Sequence, residues 1–317
     1  FYQYYFDMIL KSKTNEDGKG SAMKNIPPFD ILKKYLFPLP PLAEQERIVA
    51  KIEELFAQID RIEEEKQSLL KLIDRTKEKV LDLAMKGKLV EQDPNDEPAS
   101  VLLEKIFEEK KKLAKEGKIK LSKDELLPPK ISDDNDYYQD LPNNWKLTLL
   151  KTICEISTGN SINAHIKSEK YTKNTKGLPY IGTKDISYSN RIDYNNGIII
   201  PLNEINNFRV AKSGATLLCI EGGSCGRKFG LTNQDVCYGN KLCAFKSKIF
   251  DKFLYYYIQS SQFLNIFKSK LTGIIGGVNI YKIKEIYIPV PPLNEQKRIV
   301  VKIENVFTKL EEIKDSL

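Results

Sequence analysis

The sequence predicts an α+β fold: a β-rich domain with small helices, joined to two long antiparallel helices that pair as a coiled-coil spacer. Three observations predict it. The stretch PLPPLAEQERIVAKIEELF at 38–56 returns as PVPPLNEQKRIVVKIENVF at 289–307, an offset of 251 residues. Apolar residues after each copy step along the chain by four and three. Between the copies, over 145–290, the texture changes to short apolar runs (GLPYIG, NNGIIIP, GATLLCI, KLCAFKS) broken by Gly, Asn and Pro. Identities such as Pro40, Pro41, Leu42, Glu44, Gln45, Arg47, Ile48 and Val49 with their counterparts exceed compositional bias, so the element is a duplicated unit. Its period is too long for a stacked solenoid, which leaves room for one whole domain between the copies.

Each copy opens on prolines, which bar a helix through 38–41 and 289–292 and suit a rigid lead-in to one starting just afterwards. The first helix is predicted over about 43–86, roughly 65 Å at 1.5 Å per residue, longer than a globular core requires. Its seam runs through Ile48, Ile52, Leu55, Ile59, Ile62, Lys66, Leu69, Ile73, Thr76, Val80 and Leu83, a heptad a/d pattern with polar breaks at Lys66 and Thr76. The second seam runs through Ile299, Ile303, Val306, Leu310, Ile313 and Leu317. Two narrow apolar seams in one chain satisfy each other, and the return through a complete domain makes the pair antiparallel.

After Gly87, turn residues at 93–98 precede a charged amphipathic helix over about 98–116. Residues 117–140 are polar and read as a linker. Near the end of the β-rich region the run DKFLYYYIQSSQFLNIFKSK is more helical. Residues 1–37 resemble the last part of that domain: FYQYYFDMIL, a Gly- and Asn-containing turn and FDILKKYLFPLPP parallel FLYYYIQSSQ, TGIIGGVN and YKIKEIYIPVPP. A beginning at Phe rather than Met fits a fragment that lacks most of a first domain. The expected divisions are 1–37 as that remnant, 38–92 as a spacer helix, 93–131 as connector and linker, 132–290 as a complete domain and 291–317 as the second spacer helix.

At 41% hydrophobic, 317 residues can bury a real core, and the length suggests about two domains. No apolar run is long enough to span a membrane and the start lacks a basic n-region, so no membrane partner is expected and cytoplasm is the default location. Cys154, Cys219, Cys225, Cys237 and Cys243 include no C-x-x-C pair, and four lie in apolar strand-like runs, so they read as packed thiols rather than metal ligands. The net charge of +7 is unevenly spread: residues 141–290 hold 20 Lys and Arg against 9 Asp and Glu. Such a concentration suits a polyanion-binding domain, with a basic but inert surface as the lesser alternative.

No catalytic motif emerges. NIPPFD at 25–30 superficially resembles the N-P-P-[YF] loop of amino-methyltransferases, but Ile26 interrupts it and no Gly-rich cofactor loop lies upstream. IEGGSCGRKFG at 220–230 is Gly-rich and basic without P-loop spacing. His165, the one histidine, has no nucleophile at a recognisable spacing, and Asp185, Asp193 and Glu221 are not tied by any motif. What remains is recognition. Lys184, Arg191, Arg209, Lys212, Arg227, Lys228 and Lys241 are interleaved with Asn240, Gln234, Tyr188 and Tyr238 on Gly-rich loops. Cations of this kind neutralise phosphates or donate to guanine, while Asn and Gln pair with adenine edges. The candidate DNA-binding set is Lys184, Arg191, Arg209, Lys212, Arg227, Lys228, Asn240 and Lys241.

The duplicated P-x-P-P-L-x-E-Q stretches, LAMKGKLVEQDPNDEPASVLLEKI and the domain-opening LPNNWKLTLLKTICEISTGNSI together resemble the specificity subunit of type I restriction-modification enzymes. The likeness covers essentially the whole chain. It implies a non-catalytic, sequence-specific reader of double-stranded DNA, with two recognition domains each taking one half of a split target. The helices then set the spacing and bind two methyltransferase subunits, and restriction subunits join for cleavage. It also implies that S-adenosylmethionine, ATP and magnesium belong to those partners and that this chain holds no cofactor. Equivalent helices after equivalent domains give a pseudo-twofold order suited to a bipartite site. Only one recognition domain is complete here. The rival readings are a nuclease or methyltransferase in its own right and a coiled-coil assembly scaffold.

Overall fold

The computed structural model describes residues 1–16, 30, 33–34, 36–117, 138–273 and 276–317. The N-P-P-like stretch at 25–29 and most of the linker, 118–137, lie outside the described residues. The chain divides into two compact units, Phe1–Leu72 and Ile73–Leu317.

In the first unit, α1 (Tyr2–Glu16) is followed by the proline lead-in and by α2 (Leu42–Met85), whose residues from Ile73 onward belong to the second unit. The Tyr5 hydroxyl donates to the Leu36 carbonyl at 3.1 Å, and Gln45 Nε2 donates to the Pro40 carbonyl at 2.8 Å. The Phe37 ring lies 5.1 Å from that of Tyr5 and the Phe56 ring 5.8 Å from that of Tyr4.

The second unit repeats this wiring with different residues. Tyr257 donates to the Tyr287 carbonyl at 2.5 Å, Gln296 Nε2 donates to the Pro291 carbonyl at 2.8 Å, and Phe307 meets Tyr256 at 5.9 Å. The duplication read from the sequence is therefore a duplication of hydrogen bonds as well.

Helix α2 ends at Gly87, whose φ of +67° is the left-handed turn expected of a helix C-terminus. The Gly87 and Lys88 N–H groups close on the Ala84 and Leu83 carbonyls at 3.2 and 2.9 Å. A Cβ at Gly87 would stand 2.5 Å from Pro142 Cγ, so this glycine also admits the start of the β-rich domain. Next come α3 (Ala99–Lys115), β1 (Lys146–Leu149), the single turn α4 (Leu150–Ile153), β2 (Cys154–Thr158) and the turn α5 (Ala164–Ile166). The strands β3 (Leu178–Ile181), β4 (Ile199–Ile200), β5 (Val210–Ala211), β6 (Thr216–Cys219), β7 (Phe229–Leu231), β8 (Val236–Tyr238) and β9 (Leu242–Ser247) follow. The chain closes with α6 (Asp251–Gln259), α7 (Ser261–Ser269), α8 (Ile280–Lys284), β10 (Tyr287–Val290) and α9 (Leu293–Asp315).

Among the described residues these strands form three sheets. One pairs β1 with β10, the second runs β2-β9-β6-β7 and the third β4-β3-β8-β5. The second sheet is buried on both faces, which its alternation encodes: Leu218, Cys243 and Phe245 enter the main core against α6 and α7, while Leu217, Cys219, Leu242 and Ala244 pack towards the third sheet. Pro289 lies opposite Leu147 in the two-stranded pair, where a residue without an N–H is tolerated. The helical run at 251–270 is two helices, because Ser260 caps the second by accepting the Phe263 N–H.

The start of α9 fastens the unit together. Glu295 and Gln296 are both 0% exposed. Glu295 accepts from the Trp145 indole at 2.9 Å and from Gln92 at 2.6 Å; Gln296 accepts the Phe250 N–H at 3.0 Å. Beside them Arg298 pairs with buried Asp96 at 2.6 Å.

The two long helices run antiparallel where they meet: Lys77 pairs with Glu311, and Gln92, just beyond α2, reaches Glu295. Ile73, Val80, Ile299 and Ile303 are buried, Val306 packs against the core, Leu310 is half-buried and Ile313 is exposed. The buried face of α2 also takes in Leu81, Ala84 and Met85, wider than an a/d seam, because α2 faces the domain as well as α9. The earlier part of the seam has a different environment. Ile48 and Ile52 are half-buried, whereas Leu55, Ile59 and Ile62 are exposed, Ile62 to 65%. Within the second unit, α9 meets the last turns of α2, with Glu311 on Lys77.

Replacing Glu295 by Ala would leave a buried indole N–H unsatisfied and should cost about 2–3 kcal/mol in urea unfolding. Burial pushes the Glu295 carboxyl up, against the Gln92 and Trp145 donors and Arg298. A carboxyl raised on folding stabilises most below its unfolded value, about 4.3, and loses that contribution as pH rises through the folded value. Glu295→Gln cannot ionise, so its stability relative to the native chain should improve as pH rises from about 4, by denaturation at a series of pH values.

Candidate nucleic-acid interface

The third sheet explains how dispersed cations come together. Strands β3 and β8 are parallel, so both leave the sheet on the same edge. After β3 the chain makes the turn Thr183–Asp185, held by the Asp185 carboxylate on the Gly182 N–H at 2.8 Å, and this turn carries exposed Lys184. After β8, the Gly239 N–H bonds the Ile181 carbonyl at 2.9 Å and the chain presents exposed Asn240 and Lys241. Because β5 runs antiparallel to β8, its beginning, at exposed Arg209, reaches the same edge.

The sequence STGNSI is what stitches this edge. A Cβ on Gly159 would lie 2.0 Å from the Tyr238 carbonyl oxygen, so only glycine allows the approach. Asn160 then donates its N–H to that carbonyl at 2.9 Å, accepts the Tyr180 hydroxyl on its own carbonyl at 2.6 Å and accepts the Arg209 N–H on Oδ1 at 2.6 Å.

A loop from the second sheet joins them. Between β6 and β7, residues 220–228 carry exposed Arg227 and half-buried Lys228, and the Lys228 ammonium donates to the Thr183 carbonyl at 3.1 Å. Lys212 is placed elsewhere. It follows β5 and pairs at 2.7 Å with Asp235, which precedes β8, at the opposite end of the strand from Asn240. The Asp235 carboxyl is held below the usual range by Lys212 and by the Ser213 N–H. Lys241 faces Glu221 at 3.6 Å. Arg191 closes the turn begun at Ser187, donating its N–H to the Ser187 hydroxyl at 3.1 Å, with its side chain exposed.

One cation escaped the sequence reading. Lys167 stands 4.7 Å over the Tyr180 ring, its ammonium pushed down by burial and then by Lys184. Nothing in SINAHIKSEKY marks it, since its place at this edge depends on long-range packing. His165 is exposed beside Glu169 at 3.1 Å. The cysteines on β2, β6, β8 and β9 are buried, all five are free, and burial pushes the Cys225 and Cys237 thiols up to about 11. Among the described residues no group of three or more His, Cys, Asp and Glu is placed to hold a metal, and no helix is long and apolar enough to cross a membrane.

Residues 1–72 and 142–316 match the family described as type I restriction modification DNA specificity domain. The chain belongs to that family. Among specificity subunits it is 26% identical to that of the type I restriction enzyme EcoAI of Escherichia coli, over 96% of this chain and 59% of that protein. It is 35% identical to that of EcoEI, also of Escherichia coli, over 40% of this chain and 28% of that protein. Its fold is similar to the HsdS subunit of Thermoanaerobacter tengcongensis, with a TM-score of 0.50 at 18% identity, covering 94% of this chain and 59% of the other. A chain from a structure on complex assembly and conformational transition of the type I R-M system aligns with a TM-score of 0.55 at 20% identity, over 96% of this chain and 62% of the other. The specificity-family chain thus spans about three fifths of the length of the relatives that it matches end to end.

Within this specificity-family domain Gly159 is the tightest point of the edge. Gly159→Ala should destabilise the domain by about 1–3 kcal/mol, as an overpacked site does, measured by denaturant unfolding. A change confined to experimental error would mean that the Tyr238 carbonyl can move aside freely.

Proposed function

We propose that this chain is the DNA-reading component of a type I restriction-modification assembly. The β-rich domain takes one half of a bipartite target in double-stranded DNA, and the spacer helices dock methyltransferase subunits, to which restriction subunits add. In this reading the chain is not itself an enzyme: methyl donor, nucleotide and magnesium are used by the partners. Membership of the specificity family and the names of the relatives support it.

The observation that carries it is the convergence of cations from three loops at one end of the third sheet. Lys170, Lys212, Lys241, Lys246 and Lys248 of the β-rich domain are each paired with a carboxylate. Lys184, Arg209 and Arg227 have no carboxylate partner among the described residues and stand with Asn240 on the edge built by β3, β8 and the 220–228 loop. Unpaired cations beside a permissive amide side chain are what phosphate positioning and base-edge reading require.

Binding titrations at several salt concentrations test this on duplexes carrying the target, mapped from methylation by the assembled complex in cells. Lys184→Ala should weaken binding to every duplex and lower the salt slope by about one unit. Lys212→Ala, on the far end of the sheet and paired with Asp235, should lower it by well under one unit. Equal slopes for both variants would place the DNA elsewhere on the domain. Methyl transfer or cleavage by the purified chain alone would overturn the non-catalytic assignment.

A further inference from the structure

We propose that Tyr188 is a specificity-determining positioning residue, which holds Arg227 in the orientation that reads the target. This rests on the DNA-reading function proposed above and goes beyond it by naming the group that organises the reading tip. The tip is formed by two loops from different sheets. One is the turn Ser187–Arg191, closed by the Ser187 N–H on the Arg191 carbonyl at 2.9 Å and by Asn190 at a φ of +63°. The other is the 220–228 loop, in which the Cys225 and Arg227 N–H groups bond the Gly222 and Ser224 carbonyls at 2.9 and 3.0 Å.

Tyr188 stands where the two loops meet. Its ring lies 5.6 Å from the Arg227 guanidinium and 4.9 Å from the Lys228 ammonium, and its hydroxyl is 3.4 Å from that of Ser224. The two cations have different duties. Lys228 is half-buried and spends a donor on the Thr183 carbonyl, so it ties the loops together. Arg227 is exposed, with Nη2 on the Gly223 carbonyl of its own loop, and its other donors remain available for a base edge.

An arginine on a glycine-rich loop has many rotamers, most of them useless for bidentate recognition. A guanidinium laid against an aromatic face and anchored at one nitrogen has few. Tyr188 is nevertheless 62% exposed, far more than packing alone calls for in a tyrosine whose ring is already in contact on one side. Ring and guanidinium are thus both open to solvent side by side.

The test uses the full chain, with cognate and base-scrambled duplexes, and compares Tyr188→Leu, Tyr188→Phe, Arg227→Ala and the double variant Tyr188→Leu/Arg227→Ala. Tyr188→Leu should reduce the ratio of cognate to scrambled affinity about 5–10-fold, with the salt slope and the thermal midpoint unchanged. Tyr188→Phe, which keeps the ring, should restore most of the ratio. In the Arg227→Ala background, Tyr188→Leu should add no further loss, because its effect passes through Arg227. A native ratio in Tyr188→Leu would overturn the proposal, as would losses that add in the double variant. A fall in thermal midpoint matching the loss of affinity, unrescued by Tyr188→Phe, would overturn it in favour of a packing role. Failure of the unaltered chain to distinguish the two duplexes would instead refute the underlying DNA-reading function.

Discussion

A buried carboxylate and a buried amide, Glu295 and Gln296, hold the second unit together. A helix start with two polar side chains fully out of solvent is costly unless each has partners, and here each has them from distant parts of the chain. Glu295 draws in Trp145 and Gln92, Gln296 draws in the Phe250 backbone and the Pro291 carbonyl, and Arg298 takes Asp96. One helical turn thereby fixes the opening of the β-rich domain, the segment leaving α2 and the start of α6. The antiparallel meeting of α2 and α9 follows from this clamp as much as from apolar seams, since Gln92 and Trp145 flank the Gly87 turn.

The candidate edge of the third sheet has its own constraint. Parallel pairing of β3 with β8 brings two loop exits to one place, and Gly159 lets the β2 exit press onto the Tyr238 carbonyl. A site assembled from strand ends is stiffer than one built on a long free loop, as the proposed reading of base edges requires. The 220–228 loop is less regular, and it is fastened at two points, by Lys228 on Thr183 and by the Gly226 N–H on the Cys219 carbonyl at 2.8 Å.

Much of this was legible in the sequence, for identifiable reasons. The long helix expected over 43–86 runs Leu42–Met85 and the connector helix expected over 98–116 runs Ala99–Lys115, because prolines and Gly87 punctuate them locally. How far the last helix extends along the first was not legible, because register is set by the Lys77–Glu311 and Gln92–Glu295 contacts, more than 200 residues apart in sequence. The parallel β3–β8 pair was equally hidden, since short strands carry no mark of their partner. At the candidate site, charge and glycine content drew attention to loops that the third sheet brings to one end. They could not reveal that Asp235 neutralises Lys212, or that packing brings Lys167 over Tyr180.

The two copies of the repeat separate what sequence encodes locally from what it leaves to tertiary structure. In both, the glutamine reaches back to the proline carbonyl five residues earlier at 2.8 Å, because donor and acceptor belong to one short stretch. In both, a tyrosine bonds the backbone carbonyl just before the proline lead-in. The glutamates diverge. Glu295 is buried beneath an indole and an amide, while Glu44, its counterpart in the first copy, is exposed among the described residues. A carboxylate goes inside only where donors meet it, and those donors come from Gln92 and Trp145, outside the repeat. The repeated stretch therefore specifies a rigid lead-in and a helix start by itself, and becomes the clamp of a domain only when a tryptophan-bearing segment is brought against it.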